Sequence, residues 1–414
     1  MNIKVTSLKN ISKNQAFFLL IGFLFFSIIA KASVNHPKLN KLDGYQEVTD
    51  EYLIEARVID EGLNHPWALV WLDETSLLVS ERPGTLLLYQ FNQDGSFEKQ
   101  QISGLPEIIS YGQGGLLDLE THPNYLISGW IYATYSAPNP NNNLESATTL
   151  ARFRVIEGQV ASFEVLCQTQ PFLISTRHYG SRIAFDNQNK VIFTSGDRGL
   201  RHTAQDIEKH TGKLIRLNAD GSVPEDNPFV QSADIGSLNP TNESRFIYSY
   251  GHRNPQGIAI LGSKVFINEH GPKGGDEFNL VESKKNYGWP KISYGREYLS
   301  GLPVGQFSAP GMEQPLFYWD PSIAPSGLVV YNESVFEKWQ GDFLMGSLVF
   351  GELVRLVVNE KDEVQHEEKI LNGKFGRIRD VGIGGDGYVY FVTDSASGML
   401  VQLKPVLKEN QAGQ

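Results

Sequence analysis

One pattern recurs six times along this chain, and the recurrence constrains the fold more than any other feature. Each copy has an apolar run rich in β-branched and aromatic residues, a polar turn with Gly, Asp or Asn, a second such run, and then a third strand. A period of two in the alternation of apolar and polar residues is typical of short β-strands. The copies begin near Trp67, Gly115, Arg182, Gln256, Ser326 and Ile378.

Six sheet-sized units predict an all-β fold: a six-bladed β-propeller of four-stranded antiparallel sheets around a central channel. A sandwich or a barrel would need fewer strands. No linker separates domains, so residues 33–414 are expected to form a single domain. The segment 36–56 either completes a blade or forms an arm. Long irregular links at 218–241 and 294–314 are expected to lie over the face that carries the functional site.

The first 32 residues have the features of a secretory signal. Three lysines precede an apolar run over 16–30, and Ala-Lys-Ala at 30–32 supplies a small-x-small cleavage pattern. The run is shorter than the ~20 residues that a bilayer-spanning helix needs, so a cleaved signal is favoured over a retained anchor. The protein is therefore predicted to be periplasmic or secreted, with no integral membrane segment after cleavage.

The charge balance limits the classes of partner. With 47 acidic residues against 36 Lys and Arg, the chain has a formal net charge of -11, and it has no basic block. This argues against nucleic acid, because phosphate binding needs a basic face that displaces counterions. A small neutral or cationic ligand stays open. The single cysteine, Cys167, lies in an apolar stretch and is predicted to be a buried small hydrophobic residue.

Oxygen ligands are concentrated between residues 267 and 290. This segment contains Glu269, Asp276, Glu277 and Asn279, and its Gly and Pro residues expose backbone carbonyls. Hard oxygen ligands on an irregular loop suit calcium better than zinc. The alternative is a solvated acidic loop, and spacing alone does not decide between the two.

Two arginines stand two positions apart at a predicted strand. Arg377 and Arg379 therefore lie on the same face. Adjacent guanidiniums repel each other unless an anion lies between them, which would make the pair a bidentate site for carboxylates. Pairing with the nearby Asp380 or Asp394 is the structural alternative.

Four further polar residues stand at or near predicted strand starts. His178 precedes the first strand of the third copy, and an imidazole is the usual proton acceptor near neutral pH. A single His among nine is more often structural, so both roles stay open. Gln113 lies among glycines that let backbone approach closely. Arg253 and Asn254 bring a cation and an amide to the start of another strand.

Taken together, these segments resemble a known family. The chain contains, in order, GQGGLLD, HYGSRI, YGHRNPQG, NEHGPKGGDEFNL, NYGWP, YWDPSIAPSG and RIRDV. They are similar to motifs of the soluble aldose sugar dehydrogenases, which are related to the glucose/sorbosone dehydrogenases. The resemblance implies an exported six-bladed propeller that uses pyrroloquinoline quinone (PQQ) and calcium to oxidise an aldose at C1 to the lactone. It also implies an external electron acceptor and a monomer or homodimer.

The resemblance assigns catalytic and cofactor roles. It implies that His178 is the general base for the anomeric hydroxyl, and that Arg253 stabilises negative charge developing on the reduced quinone. The residues that would contact the quinone are Gln113, Arg253, Asn254, Tyr298, Ala324, Arg377 and Arg379.

The resemblance also implies two calcium ions. The main-chain oxygens of Gly271 and Pro272 would hold the ion that binds the quinone. Glu277 and the carbonyl of Tyr287 would hold a second, structural ion.

Two residues depart from the family pattern. Val349 stands where the family commonly has a lysine that contacts the quinone, which predicts weaker cofactor binding. Arg177 immediately precedes His178, where glucose-oxidising relatives have an acid, and a nearby cation would lower the pKa of the imidazole. The sugar preference of those relatives is therefore not transferred to this chain.

Two other classes of function stay open. A six-bladed propeller with a central calcium can also hydrolyse lactones or esters, and a propeller can be a non-catalytic binding module. A neutral lactone gives the pair formed by Arg377 and Arg379 nothing to bind, whereas a tricarboxylate quinone does. A binding module predicts that His178, Gln113 and Arg253 are scattered and solvated.

Overall fold

The fold is seen in a computed structural model that describes residues 41–230 and 243–406. The predicted secretory signal, and most of the second half of the link 218–241, lie outside the described residues. Within the described residues, no helix is long and apolar enough to cross a membrane.

Six antiparallel sheets radiate around a channel, as the recurrence predicts, and five of them are built from four consecutive strands. Blade 1 contains β3 (Pro66–Trp71), β4 (Ser76–Glu81), β5 (Thr85–Phe91) and β6 (Phe97–Ile102). Blade 2 contains β7 (Leu116–Thr121), β8 (Ile131–Asn139), β9 (Asn142–Ile156) and β10 (Gln159–Gln168). Blade 3 contains β11 (Ile183–Phe185), β12 (Val191–Ser195), β13 (Lys213–Leu217) and β14 (Ile247–Tyr250).

The remaining blades follow the same order from the channel outward. Blade 4 contains β15 (Pro255–Leu261), β16 (Lys264–Glu269), β17 (Asp276–Val281) and β18 (Phe317–Trp319). Blade 5 contains β19 (Pro325–Val330), β20 (Phe343–Ser347), β21 (Leu353–Val358) and β22 (Val364–Ile370). Blade 6 contains β23 (Ile378–Ile383), β24 (Val389–Thr393), β25 (Gly398–Pro405), β2 (Leu53–Leu63) and β1 (Tyr45–Val48).

The N-terminal strands close the ring. Strand β2 pairs antiparallel with β25, the last strand, and this register sets Val58 opposite Val401. Strand β1 then adds a fifth, outermost strand. The described part of the segment 36–56 therefore completes a blade. Because β2 and β25 come from opposite ends of the described residues, their pairing in one sheet closes the ring.

In residues 41–230 and 243–406, helical structure is confined to short connections. A four-residue helix, α1 (Tyr125–Ser128), joins β7 to β8. Three 3-10 turns lie at Arg201–Gln205, Ser244–Phe246 and Glu337–Trp339.

Apolar side chains pack between the faces of neighbouring blades. Between blades 4 and 5, the ring of Phe343 lies 4.7 Å from that of Phe266 and 5.1 Å from that of Phe278, measured between centroids. All three rings are fully buried. Cys167 is also buried, as its apolar surroundings predict. The three rings belong to β16, β17 and β20, so their close packing holds blade 4 against blade 5.

Candidate functional site

A cavity of about 410 Å³ lies at the end of the channel where the first strands of the blades begin. This volume is in the range of roughly 300–1,000 Å³ that is typical of small-molecule sites. Five of the predicted quinone contacts line it and come from four different blades. They are Gln113 before β7, Asn254 before β15, Ala324 before β19, Arg377 before β23 and Arg379 within β23.

Several lining residues were not identified from the sequence. Blade 1 gave no candidate, yet it contributes two cationic or titratable side chains, His65 and Arg82. Both lie in turns that a strand pattern treats only as connections. The cavity is also lined by Trp67, Gln256, His270 and Asp394.

Arg377 and Arg379 lie on one face, as their spacing predicts. Their Nη2 atoms reach the same oxygen, Oδ2 of Asp394, at 3.3 and 2.7 Å. The other oxygen of Asp394 lies 3.0 Å from Nδ1 of His65. Burial opposes ionisation of this carboxyl, but the charge and hydrogen bond of Arg379, with the bond to His65, outweigh it and hold the pKa of Asp394 well below its ordinary value.

Pairing with Asp394 does not satisfy the two arginines. One carboxylate faces two guanidiniums, and Nε of Arg379 is buried without a hydrogen bond to any described residue. Asp380, the other acid considered from the sequence, binds Arg182 instead, at 2.6 Å. Because buried polar atoms almost always have a partner, the excess positive charge and the unpaired Nε fit an anionic ligand in the cavity.

His178 is held in one orientation. Its Nδ1 lies 2.6 Å from Oδ1 of Asp197, whose Oδ2 accepts a 2.7 Å hydrogen bond from the indole of Trp289. The backbone N–H of His178 donates to Oε1 of Gln113 at 2.7 Å. The backbone of His178 is left-handed, with φ of 55°. With Nδ1 directed at an ionised carboxylate, Nε2 is the nitrogen left to accept a proton.

The surroundings of the imidazole favour its neutral form. Burial lowers the pKa of His178, the positive charges of Arg253 and Arg177 lower it further, and the hydrogen bond with Asp197 opposes them. The effect expected of Arg177 is therefore present, although its side chain is exposed. A neutral imidazole with an oriented ring is the form that can act as a general base near neutral pH.

Asp197 was missed by the sequence analysis. The residue that precedes His178 is Arg177, and the carboxylate that orients the His178 ring is Asp197, from a different segment just after β12. Only the tertiary structure pairs it with His178. The available signal was an Asp directly after a fully buried strand, beside the channel.

Arg253 connects the segments around His178 to the oxygen-rich loop. Its backbone carbonyl accepts the N–H of Asp197 at 2.8 Å, and its own N–H donates to Oε2 of Glu269 at 2.6 Å. The guanidinium donates to the carbonyl of His270 at 3.0 Å and lies 5.3 Å from the ring centroid of Trp289. Arg253 therefore stands between His178 and the segment predicted to bind calcium.

A small cleft of about 10 Å³ is lined by Gly271, Glu277 and Tyr287, three of the four predicted calcium ligands, together with Glu269. This is about the room that one water-sized particle needs. Burial, and then the charge of Glu269, raises the pKa of Glu277. Two carboxylates in such a cleft, with nearby main-chain oxygens, fit a hard divalent cation. No group of three or more His, Cys, Asp or Glu side chains is arranged for a metal in the described ranges, so an ion here would depend on main-chain oxygens.

The fourth predicted ligand, Pro272, is brought close to Tyr298. The hydroxyl of Tyr298 donates to the carbonyl of Pro272 at 3.2 Å. Tyr298 is 64 % exposed and does not line the 410 Å³ cavity, which we call the cofactor cavity. It therefore lies apart from the five predicted quinone contacts that line this cavity. The loop itself is tight, because a Cβ added to Gly271 would lie 2.2 Å from the carbonyl oxygen of Gly275.

Val349 follows a cavity-lining residue along the chain but does not itself line the cavity. It is 54 % exposed, while the preceding Leu348 lines the cavity and its carbonyl accepts a 2.9 Å hydrogen bond from Arg377. The side chain at position 349 is therefore apolar and open to solvent. Arg82 adds a third guanidinium to the lining from blade 1 and donates to the carbonyl of Gly112.

Comparison with known proteins supports one family. The model of the glucose/sorbosone dehydrogenase family matches residues 63–402. The chain is 36% identical over 359 residues to an aldose sugar dehydrogenase of Escherichia coli (strain K12), covering 85% of this chain and 93% of that protein. It is 25% identical over 424 residues to quinoprotein glucose dehydrogenase B of Acinetobacter calcoaceticus, covering 83% and 86%. The crystal structure of the soluble aldose sugar dehydrogenase from Escherichia coli in its apo form matches with a TM-score of 0.77 at 34% identity, over 85% of this chain and 100% of that chain. The chain belongs to the glucose/sorbosone dehydrogenase family.

Proposed function

We propose that this protein is a PQQ- and calcium-dependent oxidoreductase that oxidises aldose sugars at C1 to the lactone. The observation that carries the proposal is an imidazole, oriented by a buried carboxylate and with a lowered pKa, beside a cavity with excess positive charge. Relatives named as an aldose sugar dehydrogenase and a quinoprotein glucose dehydrogenase support the same activity.

The cavity fits PQQ, which is a planar tricarboxylate. Arg377 and Arg379 would bind its carboxylates, and the unpaired Nε of Arg379 offers a donor for them. The side chains of Gln113 and Asn254 provide polar groups at the same cavity. Both also hold backbone near the base, because Gln113 accepts from the N–H of His178 and Asn254 accepts from that of Gly180.

Calcium would be held by oxygen atoms of the adjacent loop. The main-chain oxygens of Gly271 and Pro272 would hold the ion at the quinone, and Glu277 with the carbonyl of Tyr287 would hold the structural ion. The raised pKa of Glu277 supports this proposal, because a cation would relieve the repulsion from Glu269.

When bound, PQQ with calcium supplies a two-electron acceptor for the hydride that leaves C1 of the sugar, and an external acceptor later removes the electrons. The protein handles the proton. Nε2 of His178 accepts it from the anomeric hydroxyl, and Asp197 stabilises the imidazolium through Nδ1. The guanidinium of Arg253 would stabilise the negative charge that develops on the reduced quinone.

Dye-linked aldose oxidation by the purified protein tests the proposal, with PQQ and calcium added together, separately and not at all. We expect activity only when both are present, accompanied by retention of the quinone after gel filtration. Activity without added quinone and calcium in a metal-chelated sample, or no activity with both, would refute it.

The two alternatives receive less support. A lactonase leaves the excess positive charge of Arg377 and Arg379 without a ligand. A binding module predicts scattered and solvated polar residues. Instead, the backbone N–H of His178 donates to Gln113 at 2.7 Å, and the backbone N–H of Asp197 donates to the carbonyl of Arg253.

A further inference from the structure

A second cavity, of about 380 Å³, lies between blades 4 and 5 and takes no part in the cofactor site. Two of its aromatic side chains are unusually open to solvent: Tyr318 is 46 % exposed and Phe350 is 42 % exposed. An exposed apolar patch that is rimmed by polar side chains can mark a ligand-binding groove. The side chains that matter for recognition are Tyr318, Phe350, Asp320, Glu352, Glu367 and Lys369.

The second cavity shares a wall with the cofactor cavity. Ile323 lines the second cavity, whereas the next residue, Ala324, lines the cofactor cavity. Likewise Leu348 lines the cofactor cavity and Phe350 the second one. The two segments are joined by hydrogen bonds from the N–H of Leu348 to the carbonyl of Ala324, at 3.0 Å, and from Val349 to Ile323, at 3.1 Å. These two hydrogen-bonded segments, 323–324 and 348–350, form the wall between the cavities.

One lining ring is part of a rigid platform. The ring of Tyr318 stacks on Tyr294 with 4.0 Å between centroids and 13° between planes. Tyr294 in turn stacks on Phe307 at 5.6 Å. Since Tyr294 covers one face of Tyr318, the exposed fraction of Tyr318 presents a preformed flat apolar surface. Such a surface suits a ligand with a flat face of C–H groups.

The polar lining accepts more hydrogen bonds than it donates. Oε2 of Glu352 is buried and has no hydrogen-bond partner in the part of the chain that the structure describes. Oε1 of Glu367 accepts the indole N–H of Trp319 at 2.7 Å and lies 3.9 Å from Nζ of Lys369. With Asp320, three carboxylates face one ammonium group. This charge disfavours an anion such as the quinone, and the carboxylate oxygens can accept hydrogen bonds from a ligand that carries many hydroxyl groups.

We propose that this cavity is an outer saccharide subsite. An oligosaccharide whose reducing end enters the oxidising site would pass over Val349 and stack its next pyranose units on Tyr318 and Phe350, with Glu352 and Glu367 accepting their hydroxyl groups. Val349 presents an apolar surface on the shared wall, where a lysine would hold a hydrated charge in the path. The inference rests on the proposed function, because it uses the same aldose site for the reducing end.

Calorimetric titration of the purified protein without PQQ, using maltotriitol and sorbitol, tests the subsite. Maltotriitol keeps two pyranose units but ends in an alditol that has no anomeric hydroxyl to oxidise. We expect saturable binding of maltotriitol that is at least tenfold tighter than that of sorbitol. Tyr318→Ala should weaken it about tenfold, the upper end of an aromatic contact. Tyr318→Phe should keep the affinity because the ring remains, and Leu126→Ala, 84 % exposed on α1, serves as the matched surface control.

Three results would overturn the subsite: no binding of maltotriitol, equal affinity for sorbitol, or unchanged affinity in Tyr318→Ala. Because the titration needs neither cofactor nor turnover, its outcome is separate from that of the proposed activity. Binding of maltotriitol in a protein that oxidises no aldose would refute the dehydrogenase while retaining a saccharide site. Aldose oxidation without such binding would refute the subsite alone.

Discussion

At the scale of single residues, the site depends on a histidine held by contacts from other blades. His178 precedes β11, yet its ring is fixed by Asp197 after β12 and its backbone by Gln113 before β7. The left-handed φ of His178 is a sparsely populated backbone conformation, and the contacts with Gln113 and Asp197 hold the residue in it. Most polar atoms that surround the imidazole therefore have a fixed partner before any ligand binds, which favours a base that needs little reorganisation.

Replacing the base should separate catalysis from cofactor binding. In His178→Ala we expect turnover of aldose to fall ~100-fold or more, the usual contribution of a positioned base, while PQQ stays bound. His178→Asn is the matched variant, because Asn tolerates a left-handed backbone and also lacks a basic nitrogen. Dye-linked turnover and the absorption of the bound quinone measure the two effects. Near-normal turnover in both variants would exclude His178 as the base.

The residues of the site could be predicted from sequence only where they stand in recognisable segments. His178, Arg253 and the two arginines at 377 and 379 stand in such segments at strand starts, and the structure brings them to one end of the channel. Asp197 could not be predicted because its role depends on the packing of a loop against another blade. Whether the predicted contacts bind PQQ and calcium stays a prediction.

At the scale of elements, burial explains which strands the sequence could predict. Strand β12 is buried along its whole length, and its sequence VIFTS is an apolar run. Strand β22, the outermost of blade 5, has only two buried residues and reads VQHEEKI, which has no strand-like alternation to detect. The inner strands could therefore be located from sequence, whereas the outermost ones followed from the requirement that each blade be a sheet of four.

Closure of the ring by β2 can be tested through its buried side chains. Ile54 is 1 % exposed and packs in the core of blade 6, so Ile54→Ala should lower the free energy of unfolding by about 2–5 kcal/mol. Val48, on the outermost strand β1, is 79 % exposed, so Val48→Ala should change the free energy of unfolding by less than about 0.5 kcal/mol. Urea unfolding followed by circular dichroism measures both. Equal effects would mean that β2 does not close the ring in solution.

At the scale of the whole molecule, six blades around one channel create a site that no local segment contains. Residues of all six blades line the cavity beside His178, polar ones from five blades and apolar ones from blade 5. This is why the order of motifs along the chain was a better guide than any single motif. Export by the segment 1–32, which lies outside the described residues, and the oligomeric state stay predictions.

The channel itself is tied together by one buried arginine. Nη1 of Arg182 binds Asp118 at 2.8 Å and Asp380 at 2.6 Å. Its Nε and Nη2 donate to the carbonyls of Gln256, at 2.7 Å, and Arg379, at 2.9 Å. Blades 2, 3, 4 and 6 meet at this side chain, and two of its partners also line the cofactor cavity. The arginine therefore holds the blades and the cavity wall in one arrangement.

Removing this arginine should give a pH-dependent loss of stability. In Arg182→Met the two carboxylates stay buried without a cation, which should cost about 3–5 kcal/mol near neutral pH. Burial, opposed by the charge of Arg182, already raises the pKa of Asp118 and of Asp380, and loss of the cation would raise both pKa values further. A group whose pKa is higher in the folded state contributes stability at low pH that is lost as the pH rises through the folded pKa. The variant should therefore be destabilised more at pH 8 than at pH 5, as measured by urea unfolding.

The control for this prediction is an arginine at the surface. Arg201 pairs with Glu297 at 2.6 Å, but the two side chains are 46% and 38% exposed, so Arg201→Met should cost at most about 1 kcal/mol. The loss of stability in Arg201→Met should also differ little between pH 5 and pH 8, because solvent can stabilise the charge of Glu297. An equal loss at pH 5 and pH 8 in Arg182→Met would mean that the channel carboxylates do not titrate with folding. In that case packing of the arginine stem against Trp67, whose ring centroid lies 4.2 Å from the guanidinium carbon, would account for the stability instead.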